Sequence, residues 1–351
     1  MRCGIVGAGV IAQRYAERIA DVDGLELVAV QDVLRDRADA LASKHGAVAH
    51  DTLDDLLRDD DVETVVNLTI PTTHVAVTRA ALDAGKHVHT EKPVALRADD
   101  AHALAALARE RGVRLSCAPA TLLGEAQQTA WKLIRDGGIG NVQVVYAEAN
   151  WGKIEDWHPE PEALYVSGPL VDVGVYPLTI VTAMFGPVRR VTAYATTVQP
   201  VRTRKDGRQF ELVTPDFWVV ACEHESGVLT RLTSSFWVRP SKQRGLEFHG
   251  PDASLWMPTW GESNSRLLRT SNGEDYENVP LLRPAFEGFD WALALVDLAE
   301  AIRDGRRHRM SAEHAAHVVD VLNAADRSRA EGGAIAIESD FDPPPPLDWA
   351  R

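Results

Sequence analysis

Five short apolar runs, each separated from the next by a helical pattern, fill the first third of the chain and constrain its fold more than any other feature. The runs are RCGIVG, LELVAVQD, VETVVNLTI, KHVHT and VRLSCA. Between them lie VIAQRYAERIA, LRDRADALASKHG, THVAVTRAALDAG and ADDAHALAALARERG. Several of these helical stretches close with Gly, which readily takes the left-handed conformation after a helix. Strands joined through helices pair in parallel by right-handed crossovers. The expectation is an α/β fold with a doubly wound parallel sheet over residues 1–119.

From about residue 120 the pattern changes. A helix over AQQTAWKLIRDGG precedes a strand-like run at 141–151, and PLVDVGVYPLTIVTAMFG reads as a second helix. DFWVVACEHESGVLTRLTSSFWV has the form of a hairpin turning at Ser226 and Gly227. Helices at 286–304 and 311–330 close the pattern. Residues 120–351 are therefore expected to form an α+β substrate-binding and oligomerisation domain with a mostly antiparallel open sheet. A chain of 351 residues is long for one core, which also favours two domains. An open sheet with one uncovered face predicts a homo-oligomer, a dimer or tetramer. FDPPPPLDW is expected to be a surface strap.

Charge and composition exclude several function classes. The net charge is −14, from 37 basic and 51 acidic residues, the wrong sign for nucleic acid or an anionic membrane surface. No apolar run is expected to reach the roughly 18 to 20 residues that span a bilayer. The strand pattern begins at Arg2, so no signal peptide is expected and the location is read as cytoplasmic. Cys3, Cys117 and Cys222 are odd in number and lie in apolar segments, which predicts reduced, buried thiols.

GIVGAGVIAQ places Gly7-x-Gly9-x-x-Ala12 directly after the first strand and at the start of a helix. Gly7 permits the tight turn, Gly9 lets a pyrophosphate approach the backbone, and Ala12 keeps the helix close to the sheet. Val10 and Ile11 open that helix beside the phosphates. Asp32 ends LELVAVQD, where an acid accepts hydrogen bonds from the adenosine ribose and repels a 2′-phosphate. Its competing role is to cap the helix that follows. The first domain is thus expected to be a Rossmann unit that binds NAD, with NADP as the alternative because Arg35 and Arg37 lie nearby.

Together, this fingerprint and AGKHVHTEKPVA resemble the Gfo/Idh/MocA oxidoreductases, the group of glucose–fructose oxidoreductase and inositol dehydrogenases. The resemblance runs through TIPTTHVAVTRAALDAGKHVHTEKP, LIRDGGIGNV and SGPLVDVGVYPLTIVTAMFGPV, nearly the whole chain. It implies that Thr69, Pro71, His74 and Glu91 contribute to the cofactor site. It also implies that Lys92 is the catalytic lysine, contacting both cofactor and substrate, with a cis bond before Pro93. Elementary chemistry agrees, because ligands of open α/β sheets lie beyond the strands' carboxyl ends and a lysine there can exchange a proton with a reacting hydroxyl.

Asp172 and Tyr176, four apart in a helical pattern, share one face, and by resemblance that face meets the substrate and joins Lys92 in catalysis. Tyr176 stands where the family often has histidine, and a phenol acts as a base only beside a cation. Packing alone is its competing role. Thr179 replaces a later acid of the family pattern. The loop WGKIEDWHPEPEALYVSG offers Trp151, Trp157 and Tyr165 as faces for a sugar ring, and Lys153 and His158 as hydrogen-bonding groups; packing at the domain junction is the competing role of the tryptophans. The pairs His87/His89 and His314/His317 lack a convergent third ligand, so no metal is expected. The chain is therefore read as an NAD-dependent oxidoreductase moving hydride between nicotinamide and a secondary alcohol or ketone of a cyclic polyol or sugar derivative. The rivals are a redox glycosidase or lyase using transient oxidation, and a non-catalytic NAD-sensing regulator.

Overall fold

The computed structural model describes residues 1–158, 160–239 and 241–351. They divide into two compact units, 1–120 with 290–319 and 121–289 with 320–351.

The first unit alternates β1 (Arg2–Val6), α1 (Val10–Ala20), β2 (Glu26–Gln31), α2 (Arg35–His45), β3 (Val48–His50), α3 (Leu53–Arg58), β4 (Thr64–Asn67), α4 (His74–Asp83), β5 (His87–Thr90), α5 (Ala98–Arg111) and β6 (Leu115–Cys117). The six strands pair in parallel in the order β3-β2-β1-β4-β5-β6. This is the Rossmann sheet, with its switch point between β1 and β4, where ligands of such sheets bind. β3 was not among the expected runs, because three half-exposed residues leave no apolar signature.

Both sheet faces must be covered in a parallel sheet, and segments late in the chain help to cover them. On one face Ile5, Tyr15, Val30 and Leu41 pack with Leu295 and Leu298 of α9 (Leu293–Arg303). On the other, Val65, Leu82, Val88 and Leu104 pack with Ala312, Ala316 and Val319 from the start of α10 (Ala312–Glu331). Residues 290–319, expected in the second domain, therefore complete the first unit's core. Sequence order alone carries no sign of that return.

The second unit holds α6 (Glu125–Arg135), β7 (Val144–Asn150), α7 (Glu162–Pro169), a π-helical turn (Leu170–Gly174) and α8 (Val175–Phe185). It continues with β8 (Val188–Thr196), β9 (Val201–Thr203), β10 (Gln209–Glu211), β11 (Phe217–His224), β12 (Leu229–Ser235), β13 (Gly245–His249), β14 (Ser254–Met257), β15 (Leu267–Thr270), β16 (Glu277–Val279) and β17 (Ile335–Ala336). Nine strands form one sheet in the order β16-β15-β14-β13-β7-β12-β11-β8-β17. Among the described residues, only β12 and β7 pair in parallel there. β11 and β12 form the expected hairpin, with Gly227 at φ 86° in its turn.

One expectation is corrected here. Glu162–Phe185 contains an 18-residue window of mean hydropathy 1.4, long and apolar enough to span a bilayer, but 72% of it is buried. Gly168, at φ 71° and ψ 166°, breaks its backbone, and α8 packs on β7. It is an interior helix. The proline-rich tail lies along α6, with Leu347 N donating to Gln128 Oε1 at 2.8 Å and Arg283 over the Trp349 ring at 4.2 Å.

Candidate active site

The turn after β1 has the geometry that the glycine pattern calls for. Gly7 has φ 95°, and its N–H donates to Gln31 O at 2.8 Å. A Cβ there would lie 2.8 Å from the Leu68 backbone, so the position has neither the conformation nor the room for a side chain. Gly9 is the N-cap of α1, no side chain caps that helix, and nothing lies within 4 Å of where a Gly9 Cβ would sit. The approach to the helix N-terminus is open, as a pyrophosphate requires.

Asp32 follows β2 and is nearly buried. Its Oδ2 accepts from Ala8 N and its Oδ1 from Leu34 N, both at 2.7 Å. It does not cap α2, whose N-cap is Leu34. Instead it braces the glycine turn. An ionised carboxylate has about four acceptor sites, so capacity remains for ribose hydroxyls. Val10, Val33 and Ile70 are 93%, 94% and 65% exposed, apolar surface at the carboxyl ends of β1, β2 and β4. Ile11 is half-buried beside them. The guanidinium of Arg35 is engaged by Asp39 at 2.8 Å and by Asp51, which weakens it as a receptor for a 2′-phosphate. These residues fit a dinucleotide.

After β4, Thr69 Oγ1 donates to Asn67 Oδ1 at 2.6 Å, and Pro71 is half-buried. His74 is 1% exposed, and its ring lies between two carbonyls, Pro93 O at 2.7 Å from Nδ1 and Thr69 O at 3.0 Å from Nε2. His74, expected at the cofactor site, has its ring bridging the β4 loop and the segment after β5. Glu91 N donates to Asn67 O at 2.9 Å, and the Glu91 carboxylate accepts from Tyr15 Oη at 2.8 Å and from Lys92 N at 3.3 Å. Lys92 is half-buried two residues past β5, and the Lys92–Pro93 bond is cis.

In the second unit, Asp172 lies on the π-helical turn and Tyr176 at the second position of α8. Tyr176 is 2% exposed, stacked on Trp260 at 4.9 Å between ring centroids and edge-on to Phe289 at 5.8 Å. The loop after β7 brings Trp151 and Trp157 together edge to face at 5.8 Å, with His158 against Trp157 at 5.5 Å. Lys153 Nζ lies 4.6 Å from the Trp237 ring centre. Of the three aromatic faces expected for a sugar, Tyr165 is not one. It is buried between Phe210 and Phe236, and its hydroxyl donates to Glu155 Oε2 at 2.5 Å. Burial, reinforced by that carboxylate, pushes its pKa upward.

Two family models match the chain. One, described as the oxidoreductase family with an NAD-binding Rossmann fold, covers residues 1–118, and the GFO/IDH/MocA C-terminal domain covers 127–256. The chain belongs to the GFO/IDH/MocA oxidoreductase family. It is 28% identical to a trans-1,2-dihydrobenzene-1,2-diol dehydrogenase of Bos taurus, over 74% of this chain and 75% of that one. It is 24% identical to a Bacillus subtilis scyllo-inositol 2-dehydrogenase (NADP(+)), over 96% of each. The fold matches an aldose-aldose oxidoreductase from Caulobacter crescentus at TM-score 0.83 and 22% identity, covering 96% of this chain and 99% of that one.

For this GFO/IDH/MocA member, sequence reasoning missed the residues that hold the second unit's segment in place. Arg202 is fully buried, paired with Glu155 at 3.0 Å and with Asp216, and it lies over the Tyr165 and Trp237 rings. A charged side chain is buried when it has such partners, but its partners come from three segments far apart in sequence. Trp260 and Phe289 were missed for the same reason. Among the described residues no group of three or more His, Cys, Asp or Glu could hold a metal ion.

Proposed function

We propose that the chain is an NAD-preferring dehydrogenase acting on a secondary alcohol, or the matching ketone, of a cyclic polyol or sugar derivative. The observation that carries this reading is Lys92, set just past the carboxyl end of β5, with its N–H on the Glu91 carboxylate that Tyr15 of α1 also bonds. Gly7, Gly9, Val10 and Ile11 would hold the pyrophosphate, Asp32 the adenosine ribose, and Thr69, Pro71 and Glu91 the nicotinamide side. When bound, the dinucleotide takes up or supplies hydride. Lys92 Nζ, as the neutral amine, receives the hydroxyl proton during oxidation, and as the ammonium returns it during reduction. Asp172 orients the hydroxyl and Tyr176 is the proton partner, with Trp151, Lys153, Trp157 and His158 contacting the ring. Asp32, with Arg35 already paired, supports NAD over NADP.

A panel of cyclic polyols and aldoses tests the reading by reduced-nicotinamide absorbance. Turnover of at least one with NAD supports it. Product formation without net reduced cofactor would instead indicate a redox lyase. Tyr176→Phe keeps the stacked ring, so its Tm should hold while kcat falls at least about tenfold, the lower scale for an acid–base group. An unchanged kcat leaves Tyr176 as packing. Exposed Tyr146 and Tyr194 on the nine-stranded sheet favour a homo-oligomer, and we read the location as cytoplasmic.

A further inference from the structure

Behind Lys92 lies a chain of buried polar side chains, of which the proposed chemistry uses only Glu91. Ser116 Oγ is 3.3 Å from His89 Nδ1, His89 Nε2 is 3.1 Å from Tyr15 Oη, and Tyr15 Oη is 2.8 Å from Glu91 Oε1. The other Glu91 oxygen accepts from Lys92 N at 3.3 Å. Ser116, His89 and Tyr15 are each 0% exposed and Glu91 is 8% exposed. Burying four polar groups in one line is costly unless each is satisfied, and this line satisfies them in a single direction.

Its direction follows from donor chemistry. An ionised carboxylate only accepts, so Tyr15 donates to Glu91 and its oxygen takes a proton bond from His89 Nε2–H. His89 Nδ1 then accepts from the Ser116 hydroxyl. Burial holds the His89 pKa down to about 3, so the ring is neutral and carries one N–H, as this pattern needs. The inner end is closed, because Ser116 has no exposure. A line with no outlet to water cannot deliver protons to solvent. It holds a position.

What it holds is informative. Tyr15 belongs to α1, the helix that follows the Gly9 N-cap and would face the phosphates, while Glu91 is the residue before Lys92. We propose that Tyr15, backed by His89, is a positioning residue that ties Glu91 and the Lys92 backbone to the cofactor helix. The registration of Lys92 against the dinucleotide then depends on a hydroxyl that touches neither. This rests on the assignment of Lys92 as the proton-handling group.

The experiment is a double-mutant cycle on the full-length protein with NAD and its best substrate from the panel. Tyr15→Phe should lower kcat about ten- to a hundredfold, the scale of a small misplacement of a reacting group, with the KM for NAD nearly unchanged. In a Lys92→Met background the same change should have no further effect, because positioning through Lys92 has nothing left to act on. His89→Leu should also lower kcat, and His89→Gln, whose amide N–H still reaches Tyr15, should recover most of that loss. A wild-type kcat in Tyr15→Phe, or losses that add fully in the double mutant, would overturn the proposal. If Tyr15→Phe does not fold, the His89 pair decides it, and equal rates for Leu and Gln overturn it. Full activity in Lys92→Met removes the lysine assignment itself, whereas loss there with full activity in Tyr15→Phe removes only this inference.

Discussion

In the first unit Gly7, Asp32, Thr69 and Lys92 each lie one or two residues past the end of a strand. In the second unit Tyr176 is packed by Trp260 and Phe289, and the loop that carries Trp157 is anchored by Arg202 and Trp237 from other strands and turns. The first arrangement follows from chain geometry, since a parallel sheet delivers every βα turn to one edge. The second depends on side chains meeting across sequence. The proposed cofactor site is built from backbone and spacing, and the proposed substrate site from packing.

If that contrast holds, the second unit should be the more sensitive to loss of a single buried partner. Arg202→Met leaves Glu155 and Asp216 as buried, unpaired carboxylates. The expected cost is about 3–5 kcal/mol of stability, measured by denaturant unfolding, and partial proteolysis should open the 151–165 segment first. A loss under about 1 kcal/mol would mean that the loop has another anchor.

Gly7→Ala probes the first unit. The added methyl meets the Leu68 and Thr69 backbone at 2.8–2.9 Å in a left-handed conformation, costing about 1–3 kcal/mol. NAD affinity should fall with it, as read by calorimetry, while the second unit's aromatic signals stay unchanged in near-ultraviolet circular dichroism. Asp32→Ser should have the smallest effect. It removes one carboxylate and should narrow the NAD-to-NADP ratio of kcat/KM by about tenfold, the order of one lost charge-assisted hydrogen bond. A wild type that prefers NADP would reverse the reading of Asp32.

The same contrast explains what could be read in the sequence. The parallel sheet, its glycine turn and the strand-end positions of Asp32 and the Glu91–Lys92 segment were legible because each is a local pattern with a local cause. The π-helical turn around Asp172 was not, since LVDVG carries no residue that distinguishes it from α-helix. Tyr165 was misread as a ligand face because exposure cannot be inferred for a tyrosine whose partners, Glu155 and Phe236, are brought to it by folding. His74 and Tyr15 were visible as residues but not as braces. Their roles reside in hydrogen bonds to Pro93 and Glu91 that only the folded sheet creates.

Lys92 is where the account is most exposed, and Lys92→Met tests it directly. The variant keeps the glycine turn, Asp32 and the Glu91 carboxylate, so NAD titrated by calorimetry should bind as it does to the wild type. In the same preparation kcat should fall by roughly two to four powers of ten, the scale for deleting a general acid–base group. Unchanged binding with that loss is the predicted result; unchanged binding with a near-wild-type kcat would contradict it and return Lys92 to an ordinary half-buried lysine.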